Sequence, residues 1–111
     1  MTIREAAAML GAEIVQDQFE DTPLTGAYTS DLLSDVMANA KEGGALITIQ
    51  AHKNTVAVAT LVNIDLIILC NNRPVQDDGM LEAAKDEGIA VIRTTENQFI
   101  VSGKLYSALH Q

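Results

Sequence analysis

The residues best equipped for chemistry in this chain fall in three short clusters, each directly behind an aliphatic run. Gln50, His52, Lys53 and Asn54 follow the run that ends at Ile49; Cys70, Asn71, Asn72 and Arg73 follow Leu69; Arg93, Thr94 and Thr95 follow Ile92. As a histidine, His52 is a residue type that can shuttle a proton or bind a metal, and it can equally serve as a polar residue at a helix start or touch an anion. A metal needs more ligands than the neighbourhood offers: His110 is penultimate and Cys70 is the only cysteine. Lys53 and Asn54 at a helix N-terminus suit a phosphate or carboxylate, because free backbone N–H groups and the helix dipole favour negative charge; Asn54 can also simply cap the helix. Asn71, Asn72, Arg73 and Pro74 read as a turn in which Asn tolerates left-handed backbone, and the Arg73 guanidinium can grip a carboxylate or phosphate with two parallel bonds. Cys70, at the end of an aliphatic run, reads as a small buried hydrophobe in preference to a nucleophile.

A further carboxylate pair, Asp31 and Asp35, stands four residues apart beside Ser30 and Ser34. Such a pair can hold Mg²⁺ together with water, and carboxylates are also favoured in a first helical turn by the dipole alone. Gly43 and Gly44 lack the Lys and Ser/Thr of a phosphate-binding loop, and neither a dinucleotide fingerprint nor a nucleophile elbow occurs. We therefore assign no catalytic residue, no metal and no cofactor from the sequence.

The elements that must position these clusters are legible from periodicity. Thr2 and Glu5 form the S/T-x-x-E pattern of a capping box, followed by helix formers up to Gly11. Residues 12–16 read as a strand, 17–25 as an acidic connector, and 26–29 as extended. Ser30 or Asp31 is positioned to cap a helix carrying Leu32, Leu33, Val36 and Met37, which ends before Gly43. Strands at 45–49, 66–69 and 89–92 then alternate with helices at 54–62 and about 78–87. Thr95 and Gln98 repeat the capping-box pattern and open a last helix with Val101, Leu105, Ala108 and Leu109 on one face. Alternating helices and near-continuous aliphatic strands predict an α/β fold: one small domain over residues 1–111, with a mostly parallel sheet of about 4–5 strands covered by helices. Ligands of such sheets lie at the carboxyl ends of the strands, where the three clusters fall. The helix at 54–62 is apolar on nearly all sides, so either further helices or a second subunit must cover it; in a chain this short a homodimer is the expectation.

Composition narrows the partners. The chain has 111 residues, a net charge of −8 and four aromatic residues, with no Trp. A phosphate backbone is repelled and no stacking platform is present, which excludes nucleic acid. The start is polar and the longest apolar stretches are far below the ~20 residues that span a bilayer, so neither an export signal nor a membrane span is expected. A lone cysteine fits the reducing cytoplasm. Lys53, Arg73 and Arg93 at the strand ends predict a local basic spot on an acidic body.

Four stretches carry a resemblance: GAYTSDLLSDVMANA at 26–40, LITIQAH at 46–52 with Asn54 behind it, VAVA at 56–59 and EGIAVIRT at 87–94. Together they resemble a DRTGG domain over nearly the whole chain, from about residue 3 to residue 109. In particular the chain is similar to the short stand-alone members found with iron-only hydrogenases, through their G-x-x-SDLLSDVMA and ITIQ-x-H stretches. The resemblance implies a small α/β fold like the N-terminal domain of HPr kinase/phosphorylase, and a regulatory or dimer-forming role without enzymatic activity. The kinase phosphate loop of that enzyme belongs to a separate domain. The family's Gly-Asp-Arg turn is represented here by Ala51, His52 and Lys53, and its Thr-Gly-Gly by Cys70, Asn71 and Asn72, so the eponymous residues are replaced while both loops stay polar.

The functional expectation is a non-catalytic regulatory or assembly module, homodimeric, binding a partner protein of redox or hydrogenase metabolism or a small anion. The alternative is a sensor of a nucleotide or phosphometabolite. Its candidate ligand contacts are His52, Lys53, Asn54, Asn71, Asn72, Arg73, Thr94 and Thr95. An enzyme built on His52 and Cys70 is the third reading.

Overall fold

The computed structural model describes residues 1–40, 42–76 and 78–111. In chain order the elements are α1 (Ile3–Leu10), β1 (Glu13–Gln16), β2 (Ala27–Thr29), α2 (Leu33–Asn39) and β3 (Ala45–Thr48). They continue with α3 (Lys53–Leu61), β4 (Leu66–Leu69), α4 (Met80–Glu87), β5 (Ala90–Arg93) and α5 (Gln98–Leu109). The strands make a five-stranded sheet in the order β1-β5-β4-β3-β2. β2, β3, β4 and β5 are parallel, and β1 pairs antiparallel with β5. Parallel neighbours cannot be joined by a tight turn, so α2, α3 and α4 are crossovers, and all three pack on one face. α1 and α5 cover the other face. The expected α/β fold with a mostly parallel sheet is the fold found.

Burial explains the aliphatic strands. Successive side chains of a strand point to opposite faces. Leu66, Ile68 and Cys70 therefore join the core under α1 and α5, while Ile67 and Leu69 join the core under α2, α3 and α4. Each of these five residues is 0% exposed. A strand buried on both sides has no use for alternating polar residues.

Helix ends follow the sequence in part. The Thr2 capping box forms as expected: the Thr2 hydroxyl accepts from the Glu5 N–H at 3.3 Å and the Glu5 carboxylate accepts from the Thr2 N–H at 2.9 Å. Gly11 closes α1 with φ +60°, a left-handed position suited to glycine. Three expected caps do not form. Leu32, not Ser30 or Asp31, is the N-cap of α2 and makes no side-chain bond; the Ser30 hydroxyl accepts from the Leu32 N–H in a turn instead. α3 starts at Lys53 with His52 at the cap, so Asn54 lies inside the helix. α5 is capped by Asn97, whose side chain accepts from the Ile100 N–H at 2.9 Å, and Thr95 lies two residues too early.

The apolar character of α3 also has a cause within the chain. It is the central helix of its layer, with α2 on one side and α4 on the other. Thr55, Val56, Val58 and Ala59 are buried there, and Ala57 and Leu61 stay exposed. The observation that suggested a second subunit over this helix is thus met by its two neighbours. Among the described residues, no helix is long and apolar enough to cross a membrane.

The cap assignment at α5 is testable by denaturant unfolding. Asn97→Ala should cost about 1 kcal/mol, the usual loss for an N-cap, whereas Thr95→Ala should stay within about 0.5 kcal/mol of the parent. The reverse order would restore the Thr95 capping box.

Candidate functional site

The carboxyl ends of β3, β4 and β5 lie side by side, as expected, because these strands are consecutive neighbours in parallel register. The loops behind them are tied to one another by backbone hydrogen bonds. Asn71 and Asn72 both take left-handed backbone, with φ of 58° and 51°. Their N–H groups donate to the carbonyls of Glu96 at 2.9 Å and Thr94 at 2.8 Å, and the Arg73 N–H donates to the Cys70 carbonyl at 3.3 Å. The Asn-rich loop is therefore docked on the loop behind β5, and those donors are not directed at a ligand. Thr94 is buried and its hydroxyl accepts from the Glu96 N–H at 3.2 Å. Thr95 is exposed.

The N-terminus of α3 is already occupied by a carboxylate. Asp78, from the loop before α4, accepts from the Lys53 N–H at 3.0 Å through Oδ2 and from the Met80 N–H at 3.1 Å through Oδ1. This is the negative charge that a helix start attracts, supplied by the chain itself. Lys53, Asn54 and Arg73 are exposed and His52 is partly so. The third member of the expected basic spot is already neutralised: Arg93, at the carboxyl end of β5, pairs with Glu13 of β1 at 3.0 Å. The eight candidate residues thus split into a docked loop pair (Asn71, Asn72, Thr94), an internally capped helix start (His52, Lys53, Asn54) and two exposed side chains, Arg73 and Thr95.

Cys70 lies in the core. Burial raises its thiol to about 11, with Asp31 and Glu96 adding to the effect. A protonated, buried thiol is a poor nucleophile.

Asp31 has a larger part in this end of the sheet than its sequence position suggests. Its Oδ1 accepts from the Thr48 hydroxyl at 2.9 Å, the Ile49 N–H at 2.9 Å and Gln98 Nε2 at 3.0 Å. Its carbonyl accepts from Gln50 Nε2 at 3.0 Å. One carboxylate therefore joins the loop after β2, the end of β3 and the start of α5. Asp35 has separate partners: the Tyr28 hydroxyl donates to it at 2.7 Å and Asn39 at 2.9 Å. The Tyr28 bond lowers the Asp35 carboxyl and raises the phenol. The two carboxylates do not form the Mg²⁺ pair that their spacing suggested, and among the described residues no group of three or more His, Cys, Asp or Glu could hold a metal.

No family model matches the chain. No curated protein matches it either. Its fold is similar to that of the CBS and DRTGG domains of the regulatory region of Clostridium perfringens pyrophosphatase, solved in complex with the activator diadenosine tetraphosphate. The TM-score is 0.72 over 94% of this chain, at 17% sequence identity. The chain spans 45% of that solved chain. The likeness agrees in fold with the DRTGG resemblance of the four sequence stretches.

Two concave features extend beyond the strand-end loops, the second with Lys53 in its lining, and neither was singled out by the sequence. A cavity of about 430 Å³ runs along β2 and beneath the C-terminal half of α5, with Ala27, Thr29, Ile47, Ser102, Tyr106 and His110 among its walls. A second, of about 460 Å³, lies between α3 and α4, floored by Val56, Ala57, Leu61 and Ala83 and flanked by Asp86 and Glu87. Both depend on which strand ends at the sheet edge and which helices are adjacent, information that no local motif carries.

Two measurements test this geometry. Asp31→Ala should destabilise the fold by about 2 kcal/mol or more in denaturant unfolding, because the fully buried Thr48 hydroxyl and the Ile49 N–H lose their charged acceptor. Cys70 should resist a thiol reagent at pH 8 in the native state and react fully once unfolded. The folded state raises the thiol from 9.0 to about 11, so it holds the proton more tightly than the unfolded chain and stability should fall as pH rises between those values. Rapid native labelling would contradict the buried placement.

Proposed function

We propose that this chain is a non-catalytic regulatory or assembly module of the cytoplasm, homodimeric, that works by binding. The observation that carries the reading is the fold likeness to a regulatory region, at TM-score 0.72. The internal engagement of the strand-end groups supports it: the residues that sequence reasoning marked for chemistry hold loops together, and Cys70 is a buried thiol. An association with redox or hydrogenase metabolism rests on the two sequence stretches at 26–40 and 46–52 and is part of the same proposal.

A second reading, a sensor of a nucleotide or phosphometabolite, is favoured by one observation. Lys53 and Arg73 are exposed at the same end of the sheet, where neither forms an ion pair among the described residues. The similar pyrophosphatase region binds diadenosine tetraphosphate. Against an anion stand the carboxylates already present at this end, Asp31, Asp78 and Glu96, the second of which holds the helix start. An anionic ligand would have to displace Asp78 or be content with side-chain contacts from Lys53, Arg73 and His52.

Calorimetry of the full chain against AMP, ATP and diadenosine tetraphosphate separates the readings. The assembly reading expects no heat at millimolar ligand. Saturable binding, weakened about tenfold or more by Lys53→Ala or Arg73→Ala, would replace it with the sensor.

A further inference from the structure

β2 is one of the sheet's two edge strands. It pairs only with β3, and the bonds from the Ala45 N–H to the Gly26 carbonyl and from the Ser30 N–H to the Ile47 carbonyl set which backbone groups face inward. In a parallel ladder alternate residues point to the neighbour, so Gly26, Tyr28 and Ser30 face β3 while Ala27 and Thr29 face away from the sheet. Among the described residues, the N–H and C=O groups of Ala27 and Thr29 have no hydrogen-bond partner, and both residues are exposed. An uncovered edge of this kind is a template for another strand.

We propose that the occupant is a second copy of this chain, its β2 antiparallel to the first about a two-fold axis at Tyr28. The proposal rests on the homodimer reading above and locates its surface. Three features favour a second copy. The outward groups are self-complementary, since Ala27 of one copy stands opposite Thr29 of the other, and each such pair exchanges both its N–H···O=C bonds. Second, among the described residues none of those lining the adjoining cavity on the α5 side of the edge is Asp, Glu, Lys or Arg, although the chain carries −8; on the other side Asp35 is held by the Tyr28 hydroxyl. Two strongly acidic bodies of like sign meet at lower cost across a surface with few charges.

Third, the strand pair alone buries too little, for a specific interface needs about 1,200 Å² or more, and α5 supplies the remainder. Phe99, Ser102, Tyr106 and His110 follow one another at helical spacing, so they share one side of α5. Ser102 bonds to Thr29 at 2.7 Å, which places that side along the β2 edge. Phe99 is 83% exposed and Tyr106 69% exposed, the latter stacked on His110 at 4.2 Å. A two-fold axis perpendicular to the sheet keeps both copies of α5 on the same face and turns these sides toward each other. The interface replaces the exposed part of α3 as the expected dimer surface.

The test is light scattering of the full chain over micromolar to millimolar concentration, with three variants. The wild type should have twice the chain mass of 11.9 kDa. Thr29→Pro removes an outward N–H that the fold does not use, and proline is tolerated on edge strands, so it should be a folded monomer. Tyr106→Asp places a charge at the centre of the face and should also be monomeric, which keeps the test valid if the proline variant does not fold. Tyr28→Cys stands opposite itself across the axis, at a separation that suits a disulfide, and should give a cross-linked dimer on oxidation of the native protein. A dimer that survives Tyr106→Asp and does not cross-link through Tyr28→Cys overturns this interface and leaves the homodimer reading intact. A wild type that is monomeric at every concentration overturns both, and points to an extended segment of another protein at the edge.

Discussion

Leu66, Ile67, Ile68 and Leu69 have no exposed surface, and the remainder of the structure is organised by the need to cover that strand from both sides. At about 25 cal/mol per Å² of apolar surface, burying four such side chains is among the largest favourable contributions available to a chain of this size. A strand buried on both faces requires helices on both faces. The crossovers α2, α3 and α4 provide one layer, and the chain's two terminal helices provide the other. Polar residues are then mostly displaced to the strand ends and the outer surfaces of the helices, with Thr55 of α3 buried and donating to the Gln50 carbonyl.

This displacement explains why the strand ends combine so many polar residues with so little open chemistry. Backbone groups that leave a buried sheet must find partners nearby, because an unpaired buried donor costs about 1–3 kcal/mol. Asp31 satisfies the end of β3, Asp78 the start of α3, and the carbonyls of Thr94 and Glu96 the left-handed Asn71 and Asn72. The acidic composition is thus in part structural, since carboxylates serve as the acceptors that hold loops in place. Among the described residues, the edge at Ala27 and Thr29 is one place where backbone groups stay unmatched, and it is the surface left for a partner.

How much was legible in the sequence depends on the range over which each feature is determined. The Thr2 capping box, the Gly11 stop, the left-handed Asn71 and Asn72 and the burial of Cys70 are fixed by a few adjacent residues, and all were readable. The strand and helix alternation was readable too, because both-face burial writes itself as unbroken aliphatic runs. Thr95 failed as a cap because the loop behind β5 bends at Thr95 and Glu96, with the Thr94 and Glu96 carbonyls taken by Asn72 and Asn71, leaving Asn97 to start the helix. The helix start at Lys53 looked open to an anion because its occupant, Asp78, is 25 residues away. Arg93 looked like part of a basic spot because nothing local indicates that Glu13 lies beside it, 80 residues earlier in the chain. The edge position of β2 was beyond any motif, since it follows from the strand order β1-β5-β4-β3-β2 and β2 is three residues long.

A module that acts by assembling through its open sheet edge makes a direct statement about two backbone amides. Amide hydrogen exchange, measured by NMR on concentrated and dilute protein, reads the N–H groups of Ala27 and Thr29 individually. The account predicts slow exchange for both at high concentration and fast exchange on dilution, with Tyr28, bonded to β3 throughout, protected in each. Fast exchange of Ala27 and Thr29 at every concentration would contradict it.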